Sequence, residues 1–184
     1  EAAPSDLCDA CLKRPPPWDA GRAALRYAGT GRRLVLALKH GDRGDIGPAA
    51  STWMADRADA WLVHDPLVIP IPLHPLRLLK RRFNQSALLA HGLCKTPKFR
   101  AQKITCLPDA LYRTRRTPSQ DGLDAEARFA NLDAAIAVTP RHRARVRGRA
   151  VILVDDVLTS GATIWAATDA LRSEGAGPIY ALVM

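Results

Sequence analysis

The chain has 184 residues, 47% of them hydrophobic, and 27 Lys and Arg against 18 Asp and Glu, for a formal net charge of +9. That length carries one α/β domain with a sizeable core, and the hydrophobic share excludes a disordered chain. No apolar run nears the roughly 20 residues that a membrane-spanning helix requires and no signal peptide is recognisable, so the expectation is a cytoplasmic protein whose positive charge draws it towards polyanions.

In chain order, residues 1–20 are rich in proline, including Pro15-Pro16-Pro17, and predict an irregular arm. The arm is counted as residues 1–22, ahead of a single domain over 23–184, and carries Cys8-Asp9-Ala10-Cys11. A CxxC supplies two thiolates, half of a tetrahedral zinc site, so Cys8 and Cys11 are candidate zinc ligands that need others to complete the set. Cys94 and Cys106 stand alone in the sequence, and the four cysteines do not make a secreted disulfide framework. Residues 24–27 predict a short edge strand. Thr30 is placed to cap a helix with Leu34, Val35 and Leu38 on its apolar face, ending at Gly41. Asp45 and Pro48 open a second helix running to residue 62, which Asp65-Pro66 breaks. Residues 67–71 read as a buried strand, and Asn84 as the cap of a helix over 85–93. A strand is expected over 103–107 and a shorter one over 111–113. Past a polar stretch comes a helix near 123–131. Strands follow at 134–138 and 151–154, then a helix at 162–173 with Gly175 just past its end, and a last strand at 179–183. This alternation predicts an open, mostly parallel α/β sheet with helices on both faces.

Residues 151–164, VILVDDVLTSGATI, carry the most chemistry. An apolar strand runs into Asp155 and Asp156, then a turn of small hydroxyl residues opens a helix. Ligands of open α/β sheets sit at that end of the strands, and a helix N-terminus favours a phosphate. The two acids suit a pair of vicinal hydroxyls or a divalent cation. Together these features describe a pocket for ribose 5-phosphate. Here the chain resembles the type I phosphoribosyltransferases, which bind phosphoribosyl pyrophosphate (PRPP) through an apolar strand, Asp-Asp and a Thr-Ser/Thr-Gly-x-Thr loop. The resemblance implies that Asp155 and Asp156 orient the ribose hydroxyls, with Asp156 also a candidate proton acceptor. It implies that Val157, Leu158, Thr159, Ser160, Gly161, Ala162 and Thr163 hold the 5-phosphate, and that Mg2+ accompanies PRPP.

Two further segments supply cations. Residues 68–73 end a strand that turns into Arg77, Lys80, Arg81, Arg82, Phe83, Asn84 and Gln85. A cation-rich loop closing on a helix N-terminus suits pyrophosphate, with Arg81, Asn84 and Gln85 facing it. Lys39 beside His40 either points at the pyrophosphate or belongs to a helix end, where a cation meets the dipole favourably. The polar stretch 112–131 is a candidate mobile lid whose Arg113 and Arg128 would close over the substrate.

Taken in order, these motifs resemble the ComF family of competence proteins, also described as GntX-like. The pattern comprises the CxxC, Leu38-Lys39-His40-Gly41-Asp42, Ile69-Pro70-Ile71-Pro72-Leu73-His74, Arg81 with Phe83-Asn84-Gln85-Ser86, Arg113-Thr114 with Gln120, Arg128, Asn131 and the Asp155-Asp156 loop. Two positions depart from it: Arg82 stands where the family has glycine, and one CxxC stands where it usually has two. The resemblance implies a type I phosphoribosyltransferase fold, PRPP binding and a link to DNA uptake. It leaves open whether pyrophosphate is displaced at the anomeric carbon, as in a salvage or biosynthetic transferase, or whether PRPP is bound without catalysis in a module that also contacts single-stranded DNA and the uptake machinery. A homodimer is likewise open. Basic clusters at 80–82, 113–116 and 141–149 are expected to form a stripe beside the PRPP site for such DNA contacts.

Overall fold

The structure is a computed structural model that describes residues 11–12, 14–40, 45–73, 83–115, 124–132 and 134–184, with Lys39, His40 and Ala125 described in backbone only. The first strand, β1 (Ala20–Ala23), is followed by helix α1 (Gly29–His40) and helix α2 (Ile46–Ala58), which a 3-10 turn (Asp59–His64) prolongs. Strand β2 (Leu67–Pro70) precedes helices α3 (Gln85–Lys95) and α4 (Pro97–Ala101). Strands β3 (Leu111–Arg113) and β4 (Ile136–Val138) flank helix α5 (Ala125–Leu132). After the short helix α6 (Arg143–Val146) come strand β5 (Val151–Asp155), helix α7 (Ala162–Ser173) and strand β6 (Ile179–Val183).

Four strands form a wholly parallel sheet in the order β1-β6-β5-β2. Its residues alternate between two cores. Val68, Ile152, Val154, Tyr180 and Leu182 face α1, α2 and α3. Leu67, Ile69, Val151, Leu153, Ile179 and Val183 face α7 and the β3–β4 pair. Burial on both faces explains why β2, β5 and β6 read as continuous apolar runs, and it matches the expected α/β class. After β2 the chain leaves to the α3 face, and after β5 it leaves to the α7 face. β2 and β5 are neighbours, so the strand order reverses direction between them. Outside the carboxyl ends at such a switch point lies the crevice in which open α/β sheets bind ligands.

Several expected elements shift. The first strand forms at Ala20–Ala23 rather than at 24–27, so it spans the expected boundary between residues 22 and 23. Asp19 sets this register: its N–H donates to Ile179 O at 2.8 Å, and its carboxylate accepts from Ile179 N at 2.7 Å and from Arg172 at 3.0 Å. Thr30 lies inside the first turn of α1 rather than ahead of it, its hydroxyl accepting from Arg33. The helix expected to reach residue 62 tightens to 3-10 geometry after Ala58, and Asp65 closes it in a left-handed conformation at φ 45°. The strand expected over 103–107 shrinks to one parallel bridge between Cys106 and Val68, flanked by Lys103 at φ 54° and by Pro108, which lacks an N–H. The strand expected from residue 134 starts at Ile136, because Ala134 is left-handed at φ 48°, and it pairs antiparallel with β3 in a separate two-stranded sheet. The cap at Asn84 and the glycine past α7 form as expected: Asn84 Oδ1 accepts from Ser86 N at 3.0 Å, and Gly175 has φ 77°. Cys94 and Cys106, solitary in the sequence, meet through a side-chain hydrogen bond which, with burial, pushes the Cys94 thiol up.

Candidate functional site

β5 ends in the crevice and delivers Asp155, half-buried, and Asp156, which is buried. Asp155 Oδ1 accepts two hydrogen bonds, from Ser86 Oγ at 2.8 Å and from Asp156 N at 2.9 Å. The opposite wall is tied to the same point. Ile71 N donates to Val154 O at 2.9 Å, and Asn84 Nδ2 donates to Ile71 O at 2.9 Å. The end of β2, the start of α3 and the end of β5 are thus laced together, and the first acid is fixed in orientation. Replacing Ser86 by alanine is expected to cost about 1.5–3 kcal/mol, the range for hydrogen bonds to charged groups. Urea denaturation measures it, and an unchanged midpoint would show that the carboxylate does not depend on Ser86.

Past Asp156 the loop turns at Gly161, which has φ 79°, and α7 begins. No acidic residue occupies the first turn of α7, so the positive end of the helix dipole is not neutralised from within. Ala162 N meets Ser160 Oγ at 3.5 Å, and Thr159 is exposed. Glycine is required at 161 on a second count: a Cβ there would stand 3.0 Å from Trp18 Cη2. Trp18 lies edge-on to Trp165 at 6.4 Å, and Phe129 packs edge-on to the same ring at 5.3 Å. Arg14 stacks over Phe129 at 4.3 Å. The proline-rich arm therefore buttresses the loop.

The two arginines expected on a lid make different contacts. Arg113 Nε donates to Pro72 O at 3.1 Å, at the carboxyl end of β2. Arg128 reaches the loop itself, Nη1 to Thr159 Oγ1 at 3.3 Å, and its Nε is buried without a hydrogen-bond partner. Asn84 is occupied as helix cap and tie, and Gln85 is only 2% exposed, so both shape the wall of the crevice. Arg81, Cys8 and the side chain of Lys39 lie outside the described residues, as do Arg77, Lys80, Arg82, Arg116, Gln120 and Leu123. Among the described residues no group of three metal-ligating side chains forms. Ser86 and Trp18 are the participants that sequence reasoning did not assign. Ser86 sits inside the capped segment Phe83-Asn84-Gln85-Ser86, but nothing in one dimension links it to Asp155.

Among the described residues, the second and third basic clusters lie at different ends of the sheet. Arg113 lies at the carboxyl end of the sheet, whereas residues 141–149 precede β5 and lie at its amino end. Several of the latter are paired: Arg141 with Asp109, Arg143 with Glu174 at 3.0 Å, and Arg149 with Asp65 at 2.8 Å. Residues 80–82 lie outside the described residues.

No protein-family model matches the chain. Over 179 aligned residues it is 32% identical to the DNA utilization protein YhgH of Escherichia coli, an alignment covering 94% of this chain and 74% of that protein. The chain belongs to the YhgH family. The YhgH proteins of Shigella flexneri and Salmonella typhi are each 32% identical as well, with 94% and 96% of this chain and 74% and 76% of the relative covered. Within the YhgH family, no helix among the described residues of this member is long and apolar enough to cross a membrane.

Proposed function

We propose that this chain binds PRPP in the crevice between β2 and β5, as a phosphoribosyltransferase-type protein serving DNA utilization. One observation carries the reading. The acids Asp155 and Asp156 stand directly beside a glycine-turned helix N-terminus, towards which Arg128 extends a guanidinium with an unpartnered Nε. Acids for a diol, and N–H groups, hydroxyls and an arginine for a phosphate, match the two ends of ribose 5-phosphate. Asp155, oriented by Ser86, accepts from one ribose hydroxyl, and Asp156 accepts from the other. Thr159, Ser160, Thr163 and the N–H groups of Gly161 and Ala162 surround the 5-phosphate, with Arg128 reassigned from the lid to this loop. Arg113, anchored on Pro72, faces the pyrophosphate side of the crevice.

Two carboxylates and a polyphosphate fit Mg2+, which takes one or two protein carboxylates and completes its shell with substrate oxygens and water. When bound, the ion neutralises charge on the departing pyrophosphate. The protein contributes positioning and electrostatic stabilisation around an oxocarbenium-like ribose, with no covalent nucleophile. Zinc at Cys8 and Cys11 remains a proposal of the CxxC alone, and metal analysis well below one zinc per chain is its expected outcome.

The binding reading is tested by thermal denaturation with PRPP and Mg2+. A ligand at about 100 times its dissociation constant stabilises the folded state by about 2.7 kcal/mol. Ribose 5-phosphate is expected to do less, since it lacks the pyrophosphate. No shift at millimolar PRPP with Mg2+ would remove the reading. A second reading, a non-catalytic module that holds PRPP and single-stranded DNA, draws on the relatives' name and on the exposed Arg145 and Arg147. On it, the DNA surface lies across the sheet from the crevice, and the two ligands do not compete.

A further inference from the structure

Helix α5 carries Arg128 to the loop at Gly161, yet it is a short support. It has eight residues, fewer than an isolated helix needs to persist in water. Exposed polar contacts tie its two ends: Asp124 Oδ1 accepts from Ala127 N at 2.8 Å, and Asn131 O accepts from Arg115 at 3.2 Å. Its apolar anchorage is a small core of Leu132, Ala135 and Ala162, against which Phe129 and Ala166 pack. The position of α5 therefore depends on few side chains, and Phe129 is the largest of these.

Phe129 is held from two directions. Its ring stands edge-on to Trp165 of α7, at 5.3 Å and an interplanar angle of 89°. The guanidinium of Arg14, from the N-terminal arm, lies over the same ring at 4.3 Å and 5.8 Å from the ring of Trp165. A cation in that place is drawn to the negative face of the ring. Arg14 is exposed, so it closes the stack from outside rather than filling a core. Consecutive residues of a helix point in different directions, so Phe129 can face α7 while its neighbour Arg128 reaches the loop. Arg128 is weakly fixed by its own bonds. Nη1 donates to Thr159 Oγ1 at 3.3 Å, which is long for such a bond, and Nε is buried with no hydrogen-bond partner. Where that guanidinium stands is thus set by where α5 stands.

We propose that the N-terminal arm sets the phosphate affinity of the loop at Gly161, with Arg14 as the positioning residue that acts through Phe129 on Arg128. The proposal rests on the PRPP reading and adds a means of regulation to that site. Its reach is limited to one end of the ligand. Arg128 meets Thr159 of the phosphate loop, whereas Arg113 stands at the carboxyl end of β2, where the pyrophosphate is placed. Loss of the Arg14 contact therefore weakens ribose 5-phosphate as much as it weakens PRPP, and leaves inorganic pyrophosphate unaffected.

The experiment is calorimetry on the full chain, with PRPP and Mg2+ titrated first, then ribose 5-phosphate and pyrophosphate. Arg14→Met keeps an unbranched side chain and removes the charge. It is expected to weaken PRPP and ribose 5-phosphate by about 3–10-fold, the size of a cation–π contact expressed as affinity. Arg14→Lys, which keeps a cation for the ring, is expected to restore most of the loss. In an Arg128→Gln background, Arg14→Met is expected to cost nothing more, since its effect runs through Arg128. A chain that binds PRPP with an affinity unmoved by Arg14→Met would overturn this inference and leave the PRPP reading standing. So would a loss that persists in full beside Arg128→Gln, that Arg14→Lys shares, or that extends equally to pyrophosphate, because Arg14 would then act by its charge or on the fold at large. A chain that binds neither PRPP nor ribose 5-phosphate loses both readings together.

Discussion

Phe99→Ala is expected to lower stability by about 3–5 kcal/mol, the range for removing a buried phenyl ring. Phe99 is the largest of the fully buried side chains among the described residues, at 0% exposure. It is carried by α4, a helix of one turn that propensity alone would not hold together. Pro97 at its start and Thr96 Oγ1, which donates to Leu93 O at 2.7 Å, aim the ring into the core shared by α2, α3 and β5. Phe99 O also accepts from Ile104 N at 3.1 Å, which ties the turn after α4 to the same residue. For a chain of this size each kcal/mol moves the melting temperature by about 2–4 °C, so a fall of about 6–20 °C is expected. Thermal and urea denaturation should agree, and a loss below about 1 kcal/mol would place α4 outside the core.

Gly161→Ala is expected to be the most damaging single change in the crevice. A left-handed conformation costs a residue with a Cβ about 1–2 kcal/mol. The new methyl would also meet Trp18 Cη2 at 3.0 Å, so either the indole or the loop must yield. A displacement of the N–H groups of the loop by even a fraction of a bond length misplaces them against a phosphate, and PRPP affinity is expected to fall about 10–100-fold. Gly148→Ala is the comparison. Gly148 is also left-handed, at φ 68°, but a Cβ there meets nothing within 4 Å, and it lies at the amino end of β5. It is expected to cost stability alone. If calorimetry gives Gly161→Ala the PRPP affinity of the unaltered chain, the loop is not the phosphate site.

The parts of the fold that could be read from the sequence are those in which local chemistry and tertiary position agree. β5, its acids, the Gly161 turn and α7 form one uninterrupted unit, and burial on both faces makes β5 apolar at every position from 151 to 154. Asn84 caps α3 through a bond two residues long, which a short window captures. The failures share a different cause. Asp19 places β1 through bonds to Ile179 and Arg172, contacts from the far end of the chain that no local pattern contains. Ser86 and Asp155 meet across 69 positions, and Trp18 acts through Gly161 and Trp165. β3 and β4 are three residues each, too short for periodicity to tell antiparallel from parallel pairing. Clusters of arginine in sequence carry no direction in space, which is why residues 141–149 fall at the opposite end of the sheet from Arg113.

The pairing of β1 with β6 has a consequence for how the chain folds. β6 sits between β1 and β5 in the sheet yet follows both in sequence. On a ribosome, β2 and β5 can pair while β1 waits, its neighbour among the described strands still unsynthesised. Closing so long a loop is entropically slow, and until it closes the arm has no edge on which to dock. Until β6 forms, Asp19 lacks the Ile179 partner that sets the register of β1, and the arm bearing Trp18 is not yet anchored in the sheet. The loop at Gly161 is thus buttressed by an arm whose own anchorage depends on a strand that comes after the loop in the chain.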